Sequence, residues 1–237
     1  MDVRCFSPKE INVCYPPRER CRAQEALERI EGVKVCSFGE REIGDLKVLG
    51  IGFRGIVLYG FLKGIPVAIK LPRADWNGSL SKEGYIQKLA YPVAPKVYTY
   101  NDDVLVMEYI GCPDISDVIL ERLGDREALR DVVVKALVAG RELDKRGIDH
   151  GELVRPWKHV KVCNRARIID FGSASLTRRP RNVTSLVSGL ILKPSYPADA
   201  IARALNINKA IVIERLKSYK REMSDEAFKE LLRAITS

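Results

Sequence analysis

An α+β chain in two parts is what this sequence predicts: a five-stranded antiparallel sheet with one helix, then a reduced, mostly helical half. Three observations predict it. Short β-branched apolar runs separated by glycines fill residues 43–109. Apolar residues at helical spacing dominate the chain after Gly111. A glycine-rich turn also sits between two strands rather than between a strand and a helix.

Composition sets the outer bounds. The 237 residues suffice for one domain of two lobes, with 46% hydrophobic and 30% charged residues. No apolar run approaches the roughly 20 residues of a membrane span, so no membrane partner is expected. Met1-Asp2-Val3-Arg4 opens no apolar leader, and a cytoplasmic location is expected. The net charge of +9 favours anionic ligands: a nucleotide, RNA or an acidic protein. Glutamine occurs only at Gln24 and Gln87, while Lys, Arg, Glu, Ile and Val abound, a thermophile-leaning composition. Six cysteines, at 5, 14, 21, 36, 112 and 163, form no C-x-x-C pair, which removes support for a zinc site. Free or buried thiols are expected, with a disulfide inside the first 36 residues as the alternative.

Taken in order, residues 1–38 form an extension. Pro16-Pro17 interrupts it, and Arg20–Ile30 reads as a helix with Ala23, Ala26, Leu27 and Ile30 on one face, stopped by Gly32. It pads the sheet or binds a partner. Residues 39–110 form the sheet-bearing part. Leu46–Gly50, Ile56–Phe61, Pro66–Leu71, Lys96–Tyr100 and Val104–Tyr109 read as strands, and Lys63-Gly64 as a hairpin turn. Ser79–Leu89 is the helix. Residues 111–237 form the helical part, with helices over Asp114–Leu123 and Asp125–Arg146, two short strands at Val160–Cys163 and Arg167–Ile169, and four more helices from Val183 on. A helix-turn-helix around Asn206-Ile207-Asn208 is the minor alternative to plain packing there.

Five pieces then carry chemistry. Gly50-Ile51-Gly52-Phe53-Arg54-Gly55-Ile56-Val57 is a hairpin lid whose glycines let backbone amides approach phosphate oxygens. Lys70 ends the core-like run Val67-Ala68-Ile69, thirteen residues past Val57, so a hairpin brings it beneath the glycines. A buried-stem lysine needs a carboxylate, and Glu83 on the next helix supplies it. Val57 and Ala68 are apolar enough to sandwich an adenine ring. Met107-Glu108-Tyr109-Ile110 offers a backbone edge: the Glu108 carbonyl and the Ile110 amide match an adenine's donor and acceptor. Asp170-Phe171-Gly172 puts a carboxylate at a strand end, where it can hold magnesium on phosphate oxygens.

On these residues, 43–172 resembles the protein-kinase-like superfamily, and most closely its small atypical archaeal Ser/Thr kinases. It is similar to the RIO kinases and to the atypical kinase of the tRNA threonylcarbamoyl-modification complex. The resemblance implies a two-lobed fold, ATP with Mg²⁺ (or Mn²⁺), and phosphoryl transfer to a hydroxyl. Gly50, Gly52 and Gly55 would then form the phosphate loop. Lys70 would contact the α/β-phosphates with Glu83 as partner, Met107 would back the adenine pocket, and Asp170 would hold the metal. A protein substrate, and membership of an RNA-associated complex, are the implied partners.

The family pattern H-x-D-L-x-x-x-N is altered here to His150-Gly151-Glu152-Leu153, with no asparagine at the position that would hold the second metal. Glu152 stands where the base aspartate belongs. His159 precedes the next strand, two residues late for the asparagine; it is a metal ligand or a structural residue. Lys158 would face the γ-phosphate. Asp149 is the weaker candidate base. Only 65 residues follow Gly172, and Ser173–Ser188 is short and basic, unlike a phosphorylation-switched activation segment. Three functions stay open: an atypical Ser/Thr protein kinase, a nucleotide-binding pseudokinase or scaffold, and a small-molecule kinase.

Overall fold

The computed structural model describes residues 3–236, which divide into two compact units. The first runs through Leu89 and adds Pro95–Ile110; the second holds Ala90–Ala94 and the chain from Gly111 on.

The first unit is an α+β unit around an antiparallel sheet. Its elements are β1 (Cys5–Phe6), α1 (Arg22–Glu28), β2 (Val33–Cys36), β3 (Arg41–Ile43), β4 (Leu46–Val48), β5 (Gly50–Ile51), β6 (Gly55–Leu62), β7 (Ile65–Pro72), α2 (Ser81–Leu89), β8 (Val97–Tyr100) and β9 (Leu105–Glu108). Seven strands share one sheet in the order β1-β2-β6-β7-β9-β8, with β5 also on β6, while β3 and β4 form a separate hairpin. The expected sheet had five strands. The difference has two sources. Residues 3–36 supply β1 and β2, and β2 zips onto β6 over Val33–Cys36. The expected strand at 46–50 splits, its first half pairing with β3 and its second with β6.

β6 and β7 pair over their full eight residues through a turn in which Lys63 (φ 50°) and Gly64 (φ 84°) both take left-handed angles, the twist a two-residue hairpin needs. Alternation then gives the sheet two faces. Ile56, Leu58, Val67, Ile69, Leu71 and Val106 point one way, into a core closed by Ala23, Ala26 and Leu27 of α1. The padding role expected of the leading segment is therefore its structural one. The other face carries Val57, Ala68, Lys70, Leu105 and Met107, packed with Leu80, Trp76 and Tyr100.

The second unit is mostly helical: α3 (Ile115–Arg122), α4 (Arg126–Lys145), β10 (Val160–Val162), β11 (Ala166–Ile168), α5 (Asn182–Val187), α6 (Tyr196–Ala204), α7 (Lys209–Glu222) and α8 (Asp225–Thr236). α4 is its axis. Asp125 caps it by accepting from the Ala128 amide at 3.0 Å, and Leu129, Val132, Val133, Ala136, Leu137 and Leu143 bury one face. α5 runs into a wide helical turn over 188–192, where Gly189 comes so close to the preceding loop that a Cβ would lie 2.6 Å from the Val154 carbonyl oxygen. α7 packs along α8.

All six cysteines are paired: Cys5–Cys36, Cys14–Cys21 and Cys112–Cys163. Free or buried thiols were the expectation and a disulfide inside the first 36 residues the alternative; two such bonds form, and Cys112–Cys163 adds a third whose partners, 51 residues apart, give no local sign of each other. The antiparallel β1–β2 register sets Cys5 opposite Cys36.

Candidate functional site

In the first unit, the chemistry-bearing residues lie on one face of the sheet. The glycine turn closes with the Gly52 amide donating to the Gly55 carbonyl at 2.8 Å. Its three glycines do different work. A Cβ at Gly55 would lie 2.3 Å from the Leu71 carbonyl oxygen, so the β6–β7 pairing itself demands glycine there. Gly50 has no atom within 4 Å of such a Cβ, and Gly52 meets one only at 3.4 Å. Folding does not require glycine at either. Their bareness leaves main-chain surface open around Ile51 and beside Phe53, which is 89% exposed.

Strand register does the rest. Val57 pairs with Lys70, and Ala68 with Met107, so all four side chains share a face. Lys70 Nζ lies 2.7 Å from Glu83 Oε1, with the two residues only 8% and 6% exposed. Glu83 sits in the first turn of α2, where the helix dipole favours a carboxylate. One turn on, Gln87 is fully buried and donates to the Pro95 carbonyl at 3.1 Å and to Met107 Sδ at 3.2 Å, so it fixes the Met107 side chain. Sequence reasoning missed Gln87. Its signal was rarity: the chain's two glutamines are both buried. Glu108 ends β9 clipped to Lys96, amide to carbonyl at 2.8 Å and side chain to amide at 3.0 Å, and half-buried Ile110 follows at the unit's edge.

In the second unit an irregular loop, not a strand, holds the candidates. His150 is fully buried, its ring against Phe171 (4.9 Å between centroids) and His159 (5.2 Å). Its Nε2 faces the Ile169 carbonyl at 3.1 Å, and a carbonyl only accepts, so Nε2 carries the proton. The other nitrogen then accepts from the Glu152 amide at 3.4 Å. Burial first, and His159 second, push its pKa down to about 4, which keeps the ring neutral.

Glu152, one-third exposed, lies between two neighbours. Its Oε1 accepts from Ser173 Oγ at 2.5 Å, and its Oε2 is 3.5 Å from His159 Nε2. Asp170 sits exposed just past β11 with φ 66°, an angle that aspartate tolerates better than most residues. Buried Phe171 anchors the residue after it. Lys158 is exposed at the end of a single helical turn, Pro156–Lys158. Asp149 is 1% exposed and bound by Arg178 Nε at 2.7 Å.

The loop is suspended from a buried polar network that sequence reasoning did not find. Asn182 Oδ1 accepts from the His150 amide at 2.9 Å, and its Nδ2 donates to the Ile148 carbonyl at 2.6 Å. Asp144 of α4 holds Asn182 through backbone and side chain at 2.9 and 2.8 Å, and takes the Tyr219 hydroxyl at 2.7 Å. Arg141 reaches the same hydroxyl at 3.2 Å. Burial raises the pKa of both Asp144 and Tyr219. A signal existed for Asp144: it stands one turn after Gly140 on the apolar face of α4.

Among the described residues no three His, Cys, Asp or Glu side chains gather into a metal cage. Magnesium on a nucleotide needs no cage, since it keeps waters and phosphate oxygens and takes one or two carboxylates. Exposed Asp170 fits that demand. His159 fits less well, being 4% exposed with Nε2 turned to Glu152; its Nδ1 is buried without a hydrogen-bond partner. Among the described residues no helix is long and apolar enough to cross a membrane.

No family model matches this chain, and no curated protein matches it.

Proposed function

We propose that this protein transfers the γ-phosphoryl group of ATP to a serine or threonine hydroxyl of a protein. The observation that carries the proposal is the Lys70–Glu83 pair, 2.7 Å apart and nine-tenths buried, on the strand registered against the glycine turn. A buried ion pair is expensive to desolvate and weak as a source of stability. Aimed by Glu83, it keeps an ammonium charged and in place, which is what phosphate oxygens require. The bare backbone at Gly50 and Gly52 supports the same use, as does the apolar set Val57, Ala68 and Met107 for an adenine ring.

In the second unit, neutral His150 braces the loop, and the Glu152 carboxylate orients an acceptor hydroxyl and takes its proton. Asp170 is the residue that would hold a magnesium ion, which when bound neutralises charge on the phosphates. Lys158, exposed near Glu152 in the chain, would meet the transferred group. Contacts on both carboxylate oxygens restrain this side chain, which is one methylene longer than aspartate.

A second reading has its own observation. Those same contacts occupy Glu152, which suits a protein that binds nucleotide without transferring from it. Release of ADP and transfer to casein, each with Mg²⁺ and with Mn²⁺, decide between the two. Lys70→Met should lower turnover by roughly 10²–10³-fold. Nucleotide binding with no transfer under either metal would favour the scaffold; absence of nucleotide binding would end both.

A further inference from the structure

We propose that Ser173 is itself a phosphoryl acceptor, so that the chain modifies its own hydroxyl directly after Asp-Phe-Gly. This rests on the phosphotransferase reading above and names an acceptor for it. Ser173 Oγ donates to Glu152 Oε1 at 2.5 Å. An acceptor hydroxyl makes that contact with the carboxylate that removes its proton. The second carboxylate oxygen faces His159 Nε2, which restrains the longer glutamate from swinging off the serine.

The neighbouring hydroxyls are placed differently. Ser175 is 5% exposed, and its Oγ accepts from the Thr177 and Arg178 amides. Thr177 Oγ1 is bonded to that same Ser175 oxygen at 3.1 Å. Ser173 is half-buried, and its main chain is held: Arg178 Nη2 donates to its carbonyl at 2.6 Å while Nε holds Asp149. A fixed backbone with a partly open hydroxyl on a carboxylate is the geometry of an acceptor.

The chemistry balances with ATP as donor. Ser173 Oγ forms a bond to Pγ as the bond from Pγ to the β,γ-bridging oxygen breaks. ADP leaves with that electron pair, and the hydroxyl proton passes to Glu152. The product carries a charge of about −1.5 to −2 and is repelled by a carboxylate. Arg178, already bonded to the Ser173 carbonyl, is placed to take the phosphate. Modification thus detaches the serine from Glu152.

The test incubates the full chain with γ-labelled ATP and Mg²⁺ or Mn²⁺, then locates phosphate by peptide mass spectrometry. Phosphate on Ser173 is expected, at a rate per molecule independent of protein concentration. Ser173→Ala should take at least about tenfold less label. Ser173→Thr keeps a hydroxyl, and the same peptide should then yield phosphothreonine, which separates loss of the acceptor from loss of the fold. Label elsewhere with Ser173→Ala labelled like the parent, casein labelled while the chain is not, or a rate proportional to concentration would each overturn this inference and leave the phosphotransferase reading standing. No ADP release and no label on chain or casein would overturn both.

Discussion

The two units hold their charged groups by opposite means. In the first, regular structure is enough: register sets Lys70 under the glycine turn, and a helix delivers Glu83. In the second, the loop bearing His150 and Glu152 has a single bridge, Asp149 to Ser175, and hydrogen-bonding side chains do most of what a ladder does in the first. Asn182 holds main-chain atoms of Ile148 and His150, Asp144 holds Asn182, and Tyr219 donates to Asp144, so the network draws on three different helices. A ladder tolerates exchange of the side chains it positions. A network made of side chains does not.

That contrast can be broken or sharpened by three measurements. The largest effect belongs to Asp144→Ala, which leaves the Tyr219 hydroxyl and the Asn182 main-chain amide without their acceptor inside the core and removes one of the two acceptors of Asn182 Nδ2. A loss of about 4 kcal/mol is expected, read from the urea midpoint; a loss under about 1 kcal/mol would mean that the network is dispensable. Next, Lys70→Met leaves Glu83 charged and buried, costing about 3 kcal/mol, whereas adding Glu83→Leu should restore most of it. If the double variant is no better than the single, the first unit depends on its pair as the second does on its network.

The third measurement is the pH dependence. The unfolded chain protonates His150 below about 6.5, while the folded chain does so only near 4. Stability from this ring is therefore complete above the unfolded value and declines as pH falls through that window, by about 3 kcal/mol in all. Asp144 opposes it in part: its raised pKa destabilises at neutral pH and is relieved in acid. His150→Gln should flatten the midpoint-versus-pH curve between 6.5 and 4, and a curve parallel to the parent's would discount the ring.

What was legible in the sequence follows the same division. Helix periodicity placed α4 to within a residue at each end, and apolar runs split by Lys63-Gly64 placed the β6–β7 hairpin that carries Lys70. Both signals are local. The two-residue strand β1 and the joining of β2 to β6 are not, since they depend on residues some 25 positions apart finding each other. Asn182 is illegible for a related reason: an asparagine at a helix start is ordinary, and only folding brings it to His150. Ser173 stood next to a recognised tripeptide, yet nothing in the spacing set it on Glu152.

With every sulfur of its six cysteines spent on another sulfur, the folded chain offers no nucleophilic thiol. Maleimides and iodoacetamide have nothing to attack until a reductant is added. Such crosslinks persist in oxidising compartments and, exceptionally, inside hyperthermophile cells. A host with a reducing interior would therefore deliver a chain lacking the ties Cys5–Cys36, Cys14–Cys21 and Cys112–Cys163, and its purification would have to include an oxidation step.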